Sequence, residues 1–167
     1  MYNGNNYSGL YEAGLFKAGV NMDLYLYETH LHTAEASACA MLTGKQQARL
    51  YKELGYTGII VTDHFFNGNT GIPRDLPWET RVDAFRRGYD NAKNEGEKIG
   101  LSVFFGWEAN YRGTEFLIYG LDPEWMKKHP EMLNWSVEDQ YRCVHEAGGF
   151  VVHAHPFRER SYISEIR

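Results

Sequence analysis

The sequence predicts an α/β domain in which strands alternate with helices and most strands are parallel. Two further observations favour this class. Residues 58–62 ("GIIVT") form a short, continuously apolar run, which is typical of a parallel strand buried on both faces. Five of the seven histidines lie in short clusters that each follow a strand-like segment, and in a parallel α/β barrel all such strand ends meet at one face.

The chain of 167 residues is long enough for one domain with a hydrophobic core and too short for two ordinary domains. Residues 1–22 are rich in Gly, Asn and Tyr and show no clean periodicity. We interpret them as an N-terminal extension that is either poorly ordered or packed on the domain. The predicted domain therefore comprises residues 23–167.

The first regular segment, residues 23–30 ("DLYLYETH"), alternates as a strand does. This alternation places Glu28, His30 and His32 on one face. A helix is then predicted over residues 43–55, and it ends at Gly55. The apolar positions of this helix are Leu50 and Leu54.

The segment after the strand at residues 58–62 is a loop, residues 63–77, rich in Gly, Pro and Asn. Its length favours a functional loop over a simple connection. A helix is predicted over residues 78–100 because apolar side chains recur there at helical spacing. These positions are Trp78, Val82, Phe85, Tyr89 and Ala92.

The second half of the chain predicts three more strands and two more helices. The strands are residues 101–108, 114–120 and 150–155. Asp122 followed by proline is a good start for a short helix. Ser136 can cap another helix, which the glycines after Ala147 would end.

Composition and charge exclude several classes of protein. A net charge of −5 argues against a nucleic-acid-binding surface that covers the molecule, although it leaves a local basic patch open. No apolar run approaches the roughly 20 residues that a membrane span needs, and no signal-peptide pattern opens the chain. We therefore expect a cytoplasmic protein. The two cysteines, Cys39 and Cys143, fit no metal or redox spacing, so we interpret them as buried or idle thiols.

Candidate metal ligands lie at the C-terminal ends of four predicted strands. They are His30 and His32, Asp63 and His64, Glu108, and His153 and His155. Imidazoles mixed with carboxylates suit Zn, Mn or Fe, and a carboxylate can bridge two ions about 3.5–4 Å apart. Each cluster alone could be a helix cap, a strand end or an ion-pair partner. Their joint occurrence at successive strand ends favours a metal site.

The four segments "THLHT", "TDHF", "GWEAN" and "HAHP", in this order, resemble the motifs of the PHP (polymerase and histidinol phosphatase) superfamily. More narrowly, the chain is similar to stand-alone PHP-domain metal-dependent phosphoesterases from about residue 23 to its last residue. This resemblance implies a distorted (β/α)7 TIM-like barrel. It also implies two or three divalent metal ions (Zn, Mn or Fe) and the hydrolysis of phosphate esters.

The resemblance assigns roles to individual residues. His30 and His32 match the opening ligand pair, and His64 matches a further ligand, with Asp63 beside it. Glu108 matches the bridging carboxylate and His155 a ligand of the second ion. The implied ligand set is completed by three residues at less well matched positions: Glu35, Glu115 and His153.

The implied catalytic groups are Glu108, His155 and Asp63. Arg158, three residues after His155, and Arg74, in the long loop, are candidates for binding a phosphate through paired hydrogen bonds.

The chain departs from the family pattern at its end. An Asp-x-His motif is absent, and five strands are visible where seven are expected. We therefore expect a PHP-like barrel of about five βα units that lacks its C-terminal part.

The predicted function is metal-dependent hydrolysis of a small phosphorylated substrate. An amidohydrolase-like metal enzyme is an alternative, because those barrels also open with H-x-H on the first strand, although the lysine they usually need is not found. A truncated, non-catalytic metal-binding module is the other alternative.

Overall fold

The computed structural model describes residues 24–161 and residue 163, and the predicted extension at residues 1–22 lies outside them. The described part forms one mixed α/β unit around a curled sheet with the strand order β1-β2-β3-β4-β5. The strands are β1 (Tyr27–Leu31), β2 (Gly58–Val61), β3 (Ser102–Tyr111), β4 (Thr114–Tyr119) and β5 (Phe150–Ala154). The α/β class and the five predicted strands are confirmed.

Five α-helices and one 3-10 turn connect these strands. The helices are α1 (Gly44–Glu53), α2 (Trp78–Phe85), α3 (Arg87–Ile99), α4 (Pro123–Lys127) and α5 (Val137–Glu146), with the 3-10 turn at Pro130–Asn134. Asp122 and Ser136 cap α4 and α5 as predicted, because each side chain accepts a hydrogen bond from a backbone N–H in the first turn. None of the described helices is both long and apolar enough to cross a bilayer.

The strands are less uniformly parallel than predicted. β1, β2 and β3 are parallel neighbours, but β4 runs antiparallel to both β3 and β5. The cause is the two-residue turn at Arg112 and Gly113, whose φ values of 54° and 93° are those of a tight hairpin. A parallel connection needs a dozen or more residues, so the expected succession of βα units is wrong here. The described strands form an open curled sheet rather than a closed barrel.

Helices α1 and α3 cover one face of β1 and β2. The buried cluster between them includes Leu31, Ala48, Ile59, Val61, Ala92 and Leu101. The two helices touch at Gly44 and Gly88, where a Cβ on Gly44 would overlap the carbonyl oxygen of Gly88. Leu50 and Leu54, the predicted apolar positions of α1, are exposed instead, because α1 packs through its smallest side chains.

A second, larger cluster lies under α2, α4 and α5. Its largest members are Phe65, Phe85, Trp107, Ile118, Met126 and Val144. The helix predicted over residues 78–100 is divided into α2 and α3 at Arg86, but its predicted face is correct, because Val82, Phe85 and Ala92 are buried.

The sheet curls enough for its fourth strand to reach its first. The Tyr119 hydroxyl on β4 donates a hydrogen bond of 2.8 Å to the Thr29 carbonyl oxygen on β1. The reversed direction of β4 also determines which end of this strand lies beside the carboxyl ends of the others. The carboxyl ends of β1, β2, β3 and β5 lie at one edge of the sheet, and the amino end of β4 lies at that same edge.

Candidate metal centre

The carboxylate of Glu108 lies at the middle of this edge. Glu108 is on β3 and is only 1% exposed. His30 Nε2 and His155 Nε2 lie 3.1 Å and 3.3 Å from its Oε1. His64 Nδ1 and His32 Nε2 lie 2.9 Å and 3.4 Å from its Oε2. Each oxygen of one carboxylate therefore faces two imidazoles.

The four imidazoles form two stacked pairs, one at each carboxylate oxygen of Glu108. The rings of His30 and His155 stack with centroids 5.4 Å apart, and those of His32 and His64 with centroids 4.3 Å apart. Residues from β1, from the end of β5 and from the loop after β2 thus meet at one carboxylate. This is the convergence that the sequence predicts for strand-end clusters.

Glu115, the second residue of β4, adds a second carboxylate. Its Oε1 lies 3.9 Å from His64 Nδ1, and its Oε2 lies 3.6 Å from His155 Nε2. Glu115 is opposite Asn110 in the β3–β4 hairpin, and Asn110 Nδ2 donates a 3.1 Å hydrogen bond to its Oε1. Because β4 is reversed, a residue at the start of a strand reaches the same edge as residues at the ends of the others.

Arg158 approaches the centre from the segment after β5. Its Nη1 donates a 2.8 Å hydrogen bond to Glu115 Oε2. The backbone N–H of Arg158 also donates to the His155 carbonyl oxygen at 2.9 Å, which closes a turn. His155 adopts a φ of 34°, a backbone conformation that residues other than glycine rarely adopt. Backbone strain of this kind is typical of functional sites, and here it accompanies a ring directed at Glu108.

Several buried polar atoms of the cluster lie close to one another but make no hydrogen bond of normal geometry within the described part of the chain. They are His30 Nε2, His64 Nδ1 and both carboxylate oxygens of Glu108. Buried polar groups are nearly always paired, so such a concentration calls for a cause. Two groups of ligand atoms lie within 4.8 Å of one another: those of His30, Glu108 and His155, and those of His64, Glu108 and Glu115. Both the chemistry and the spacing fit divalent metal ions.

The protonation states suit metal ligands. Burial, assisted by the neighbouring His64, lowers the pKa of His32 to about 4. Burial alone would raise the pKa of Glu108, but the imidazoles of His30 and His64 outweigh it and hold that pKa below its ordinary value. Burial, followed by the charge of Arg158, lowers the pKa of His155. At neutral pH the centre therefore offers the neutral imidazoles of His32 and His155 and the ionised carboxylate of Glu108.

Asp63 lies behind the cluster and does not face it. Its carboxylate is 1% exposed and accepts hydrogen bonds from Thr33 N at 2.6 Å, Thr33 Oγ1 at 2.7 Å and Ser37 Oγ at 2.7 Å. Ser37 Oγ in turn accepts the backbone N–H of His64 at 2.9 Å. Burial raises the pKa of Asp63 to about 6, although the bonds from Thr33 and Ser37 oppose this. Asp63, which directly precedes His64, is thus tied to the loop after β1.

Three other predicted site residues lie away from the centre. Glu35 accepts hydrogen bonds from Gly44 N, at 3.0 Å to one of its oxygens, and from Asn91 Nδ2 at 2.9 Å. His153 pairs with Phe116 across β4 and β5 and stacks on its ring, on the face of the sheet opposite Glu115 and Ala154. Arg74 is exposed in the long loop.

Glu28, which the alternation places on the same face as His30, makes two hydrogen bonds through its carboxylate. It accepts the backbone N–H of His30 at 2.9 Å and the Tyr51 hydroxyl at 3.2 Å. The register of β1 against β2 is irregular between Glu28 and Leu31.

Cys39 is the residue that sequence reasoning missed. It lines a cavity of about 460 Å³ together with the centre, and the other lining residues include His32, His64, Glu108, Glu115 and Arg158. Its sulfur and ligand atoms of His32 and His64 all lie within 4.8 Å of one another. Spacing rules built on paired cysteines do not detect a single thiol. The available signal was its position, seven residues after His32 in the loop that leaves the first strand.

Comparisons with known proteins support the fold. No protein-family model matches the chain, and no curated protein matches its sequence. Among solved structures, the chain is similar to a two-domain protein from Bacteroides vulgatus that contains a predicted PHP-like metal-dependent phosphoesterase. The TM-score is 0.59 at 17% identity, over 78% of this chain and 34% of that one.

A proposed metal-dependent phosphoesterase from Bifidobacterium adolescentis also matches, with a TM-score of 0.42 at 18% identity, over 75% of this chain and 39% of that one. The chain therefore spans between a third and two fifths of the length of these two proteins. The resemblance to PHP-type proteins suggested by the four motifs is confirmed at the level of the fold by the first of these structures.

Proposed function

We propose that this chain carries the metal centre of a PHP-type phosphoesterase that acts on a small phosphorylated substrate. The observation that carries the proposal is Glu108, a buried carboxylate whose two oxygens each face a separate pair of imidazoles. A carboxylate in such surroundings suits two ions held side by side. The PHP-like fold of the Bacteroides vulgatus structure is consistent with this proposal.

The residues divide into an ion-binding set and a substrate-binding residue. His30 and His155 would hold one ion with Glu108 Oε1, while His64 and Glu115 would hold another with Glu108. Bound divalent ions supply charge that attracts phosphate oxygens and lowers the pKa of an attacking water. The two or three ions expected from the resemblance belong to this proposal.

Arg158 would bind the phosphate. Its guanidinium is half-buried at the cavity and engages Glu115 through Nη1. The planar guanidinium has five N–H donors, so it can keep this ion pair and still donate to a phosphate oxygen. Burial and the charge of Arg158 lower the pKa of His155, so its ring would be neutral at pH 7, which suits the ligand role assigned to it above.

The test is hydrolysis of an aryl phosphate by the purified chain loaded with Mn or Zn, compared with the Glu108→Gln variant. Losing a residue that only supports a metal ligand costs about 10–100-fold in metal affinity or activity. We therefore expect the loss of Glu108 to reduce turnover by about 100-fold or more and to lower the bound metal per chain. Glu97→Gln, an exposed change on α3, is the matched control and should retain both.

Other outcomes distinguish the alternatives. Hydrolysis of a cyclic amide without hydrolysis of any phosphate ester would favour amidohydrolase-like chemistry. Stoichiometric metal with neither activity would favour a metal-binding module. Equal turnover in the wild type and in Glu108→Gln would show that the reaction occurs elsewhere and would refute the proposal.

A further inference from the structure

Cys39 is held at the centre by a well-defined loop. The Ala40 N–H donates to the Ser37 carbonyl oxygen at 3.2 Å, and this closes a turn that contains Cys39. The Ala38 N–H donates to the Asn69 carbonyl oxygen at 3.0 Å, which ties the turn to the long loop after β2. Ser37 is fixed in turn by its bond to the buried Asp63. The position of the thiol is therefore set by hydrogen bonds on both sides.

The thiol meets two imidazoles that already belong to the centre. The ligand atoms of Cys39, His32 and His64 lie within 4.8 Å of one another, close enough to surround one ion. His64 is only 8% exposed, and its Nδ1 lies 2.9 Å from Glu108 Oε2 without making a hydrogen bond of normal geometry among the described residues. A buried imidazole with poorly paired polar atoms, in the same group of ligand atoms as the thiol, is a sign that something binds there.

We propose that Cys39 is a thiolate ligand of a metal ion held with His32 and His64. This inference rests on the proposed metal centre and deepens it. On binding, the S–H bond of Cys39 breaks, a sulfur–metal bond forms, and the proton passes to solvent. Two imidazoles, one thiolate and an open fourth position make a set that suits zinc.

The thiolate makes the metal positions chemically unequal. The group of His64, Glu108 and Glu115 supplies two carboxylates and one imidazole, which suits harder ions such as manganese. The group of His32, Cys39 and His64 supplies nitrogen and sulfur only, which favours zinc. His64 belongs to both groups, and a neutral imidazole binds one ion, so the two groups are alternative positions. Zinc should favour the one that contains Cys39, and manganese the one that contains Glu115.

Cobalt substitution tests this inference without measuring turnover. A thiolate bound to Co²⁺ produces a charge-transfer absorption in the near ultraviolet that nitrogen and oxygen ligands do not produce. We expect this band in the cobalt-loaded wild type and in Cys143→Ser, and we expect its loss in Cys39→Ser. Cys143, on α5, lines a separate surface pocket beside Trp125 and Trp135 and is the matched control. Cys39 is exposed, so circular dichroism should show that Cys39→Ser folds normally.

Zinc affinity and alkylation provide a second measurement. Since changes around a metal ligand cost about 10–100-fold in affinity, Cys39→Ser should weaken zinc binding by at least about tenfold and manganese binding much less. Zinc should also protect Cys39, but not Cys143, from iodoacetamide, and a chelator should restore its reactivity.

The outcomes separate this inference from the proposed function. Cobalt that binds without the band, or a band that survives in Cys39→Ser, overturns the role of Cys39 and leaves the phosphoesterase proposal standing. A chain that binds no cobalt, zinc or manganese at all overturns both. Loss of turnover in Glu108→Gln with the band intact in wild type supports both.

Discussion

The carboxylate of Asp63 accepts three hydrogen bonds, two of them from Thr33. It is buried directly before His64, and its bonds hold the loop that carries both Ser37 and Cys39. The residue next to a predicted ligand therefore helps to fix where that ligand lies, through the bonds of Thr33 and Ser37. At this scale the chemistry of the centre depends on buried hydrogen bonds as much as on the ligands themselves.

We expect Thr33→Val to destabilise the protein, because it removes the hydroxyl donor from the buried Asp63 carboxylate. Losing one partner of a buried charged group costs about 1–3 kcal/mol. Chemical denaturation measures the change in the free energy of unfolding. Thr29→Val, an exposed change on β1, is the control and should stay within about 0.5 kcal/mol. Equal costs for the two variants would contradict this role of Asp63.

Glu35 offers a second test at a single residue. Its carboxylate lies against the N–H of Gly44 at the start of α1, where a negative charge is favourable. We expect Glu35→Gln to lower the free energy of unfolding by about 0.3–1 kcal/mol and to leave the metal content measured by mass spectrometry unchanged. A folded variant that has lost metal would show that Glu35 is a ligand, as the sequence alone predicts.

The difference between Glu35 and Cys39 shows what residue types alone could predict. The sequence predicts His30, His32, His64, Glu108 and His155 because their side chains are metal ligands and each lies at or near the C-terminal end of a strand-like segment. Strand ends have a known direction, so their convergence could be predicted. The loop after β1 has no such rule: its hydrogen bonds to Asn69 and Asp63 decide that Cys39 faces the cavity.

At the scale of secondary structure, the β3–β4 hairpin determines the second carboxylate. The pair Arg112 and Gly113 turns the chain within two residues, and Glu115 follows at the beginning of the returning strand. The sequence contains Gly113 of this turn, but the alternation of strands and helices favours the prediction that the strands are parallel. Strand direction depends on the connection and on partners distant in sequence, so the pattern within β4 could not reveal it.

The contact of α1 with α3 gives a prediction for helix packing. A methyl group at Gly44 would overlap the carbonyl oxygen of Gly88, so Gly44→Ala must push the helices apart. Overpacking of this kind costs about 1–3 kcal/mol, although alanine is the better helix former. Thermal or chemical denaturation measures the loss. Gly71→Ala is the control, because a Cβ there meets only ordinary contacts at 3.7 Å or more.

For the whole molecule, metal binding and folding should be linked. An ion that binds only the folded chain, at 100 times its Kd, stabilises it by about 2.7 kcal/mol. For a domain of this size each kcal/mol raises Tm by about 2–4 °C, so zinc should raise Tm by about 5–11 °C. Differential scanning fluorimetry with and without a chelator measures this. Glu108→Gln should abolish most of the shift, and an undiminished shift would place the ions elsewhere.

The overall architecture was predictable in part. The number of strands and the position of the centre at one edge of the sheet follow from pattern and chemistry, and the structure has both. The open curl of the sheet and the division of the helix at Arg86 do not, because both depend on packing between segments distant in sequence.

The hydrogen bond from Tyr119 to Thr29 joins residues 90 apart in sequence, and it has a consequence for folding kinetics. Closing so long a loop costs entropy before any contact is gained, and chains rich in such distant contacts fold slowly. The ligands of the centre are similarly scattered, from β1 to the end of β5. High-affinity metal binding should therefore require that β1 and β5 are both in place, so metal capture should follow the formation of the sheet rather than precede it.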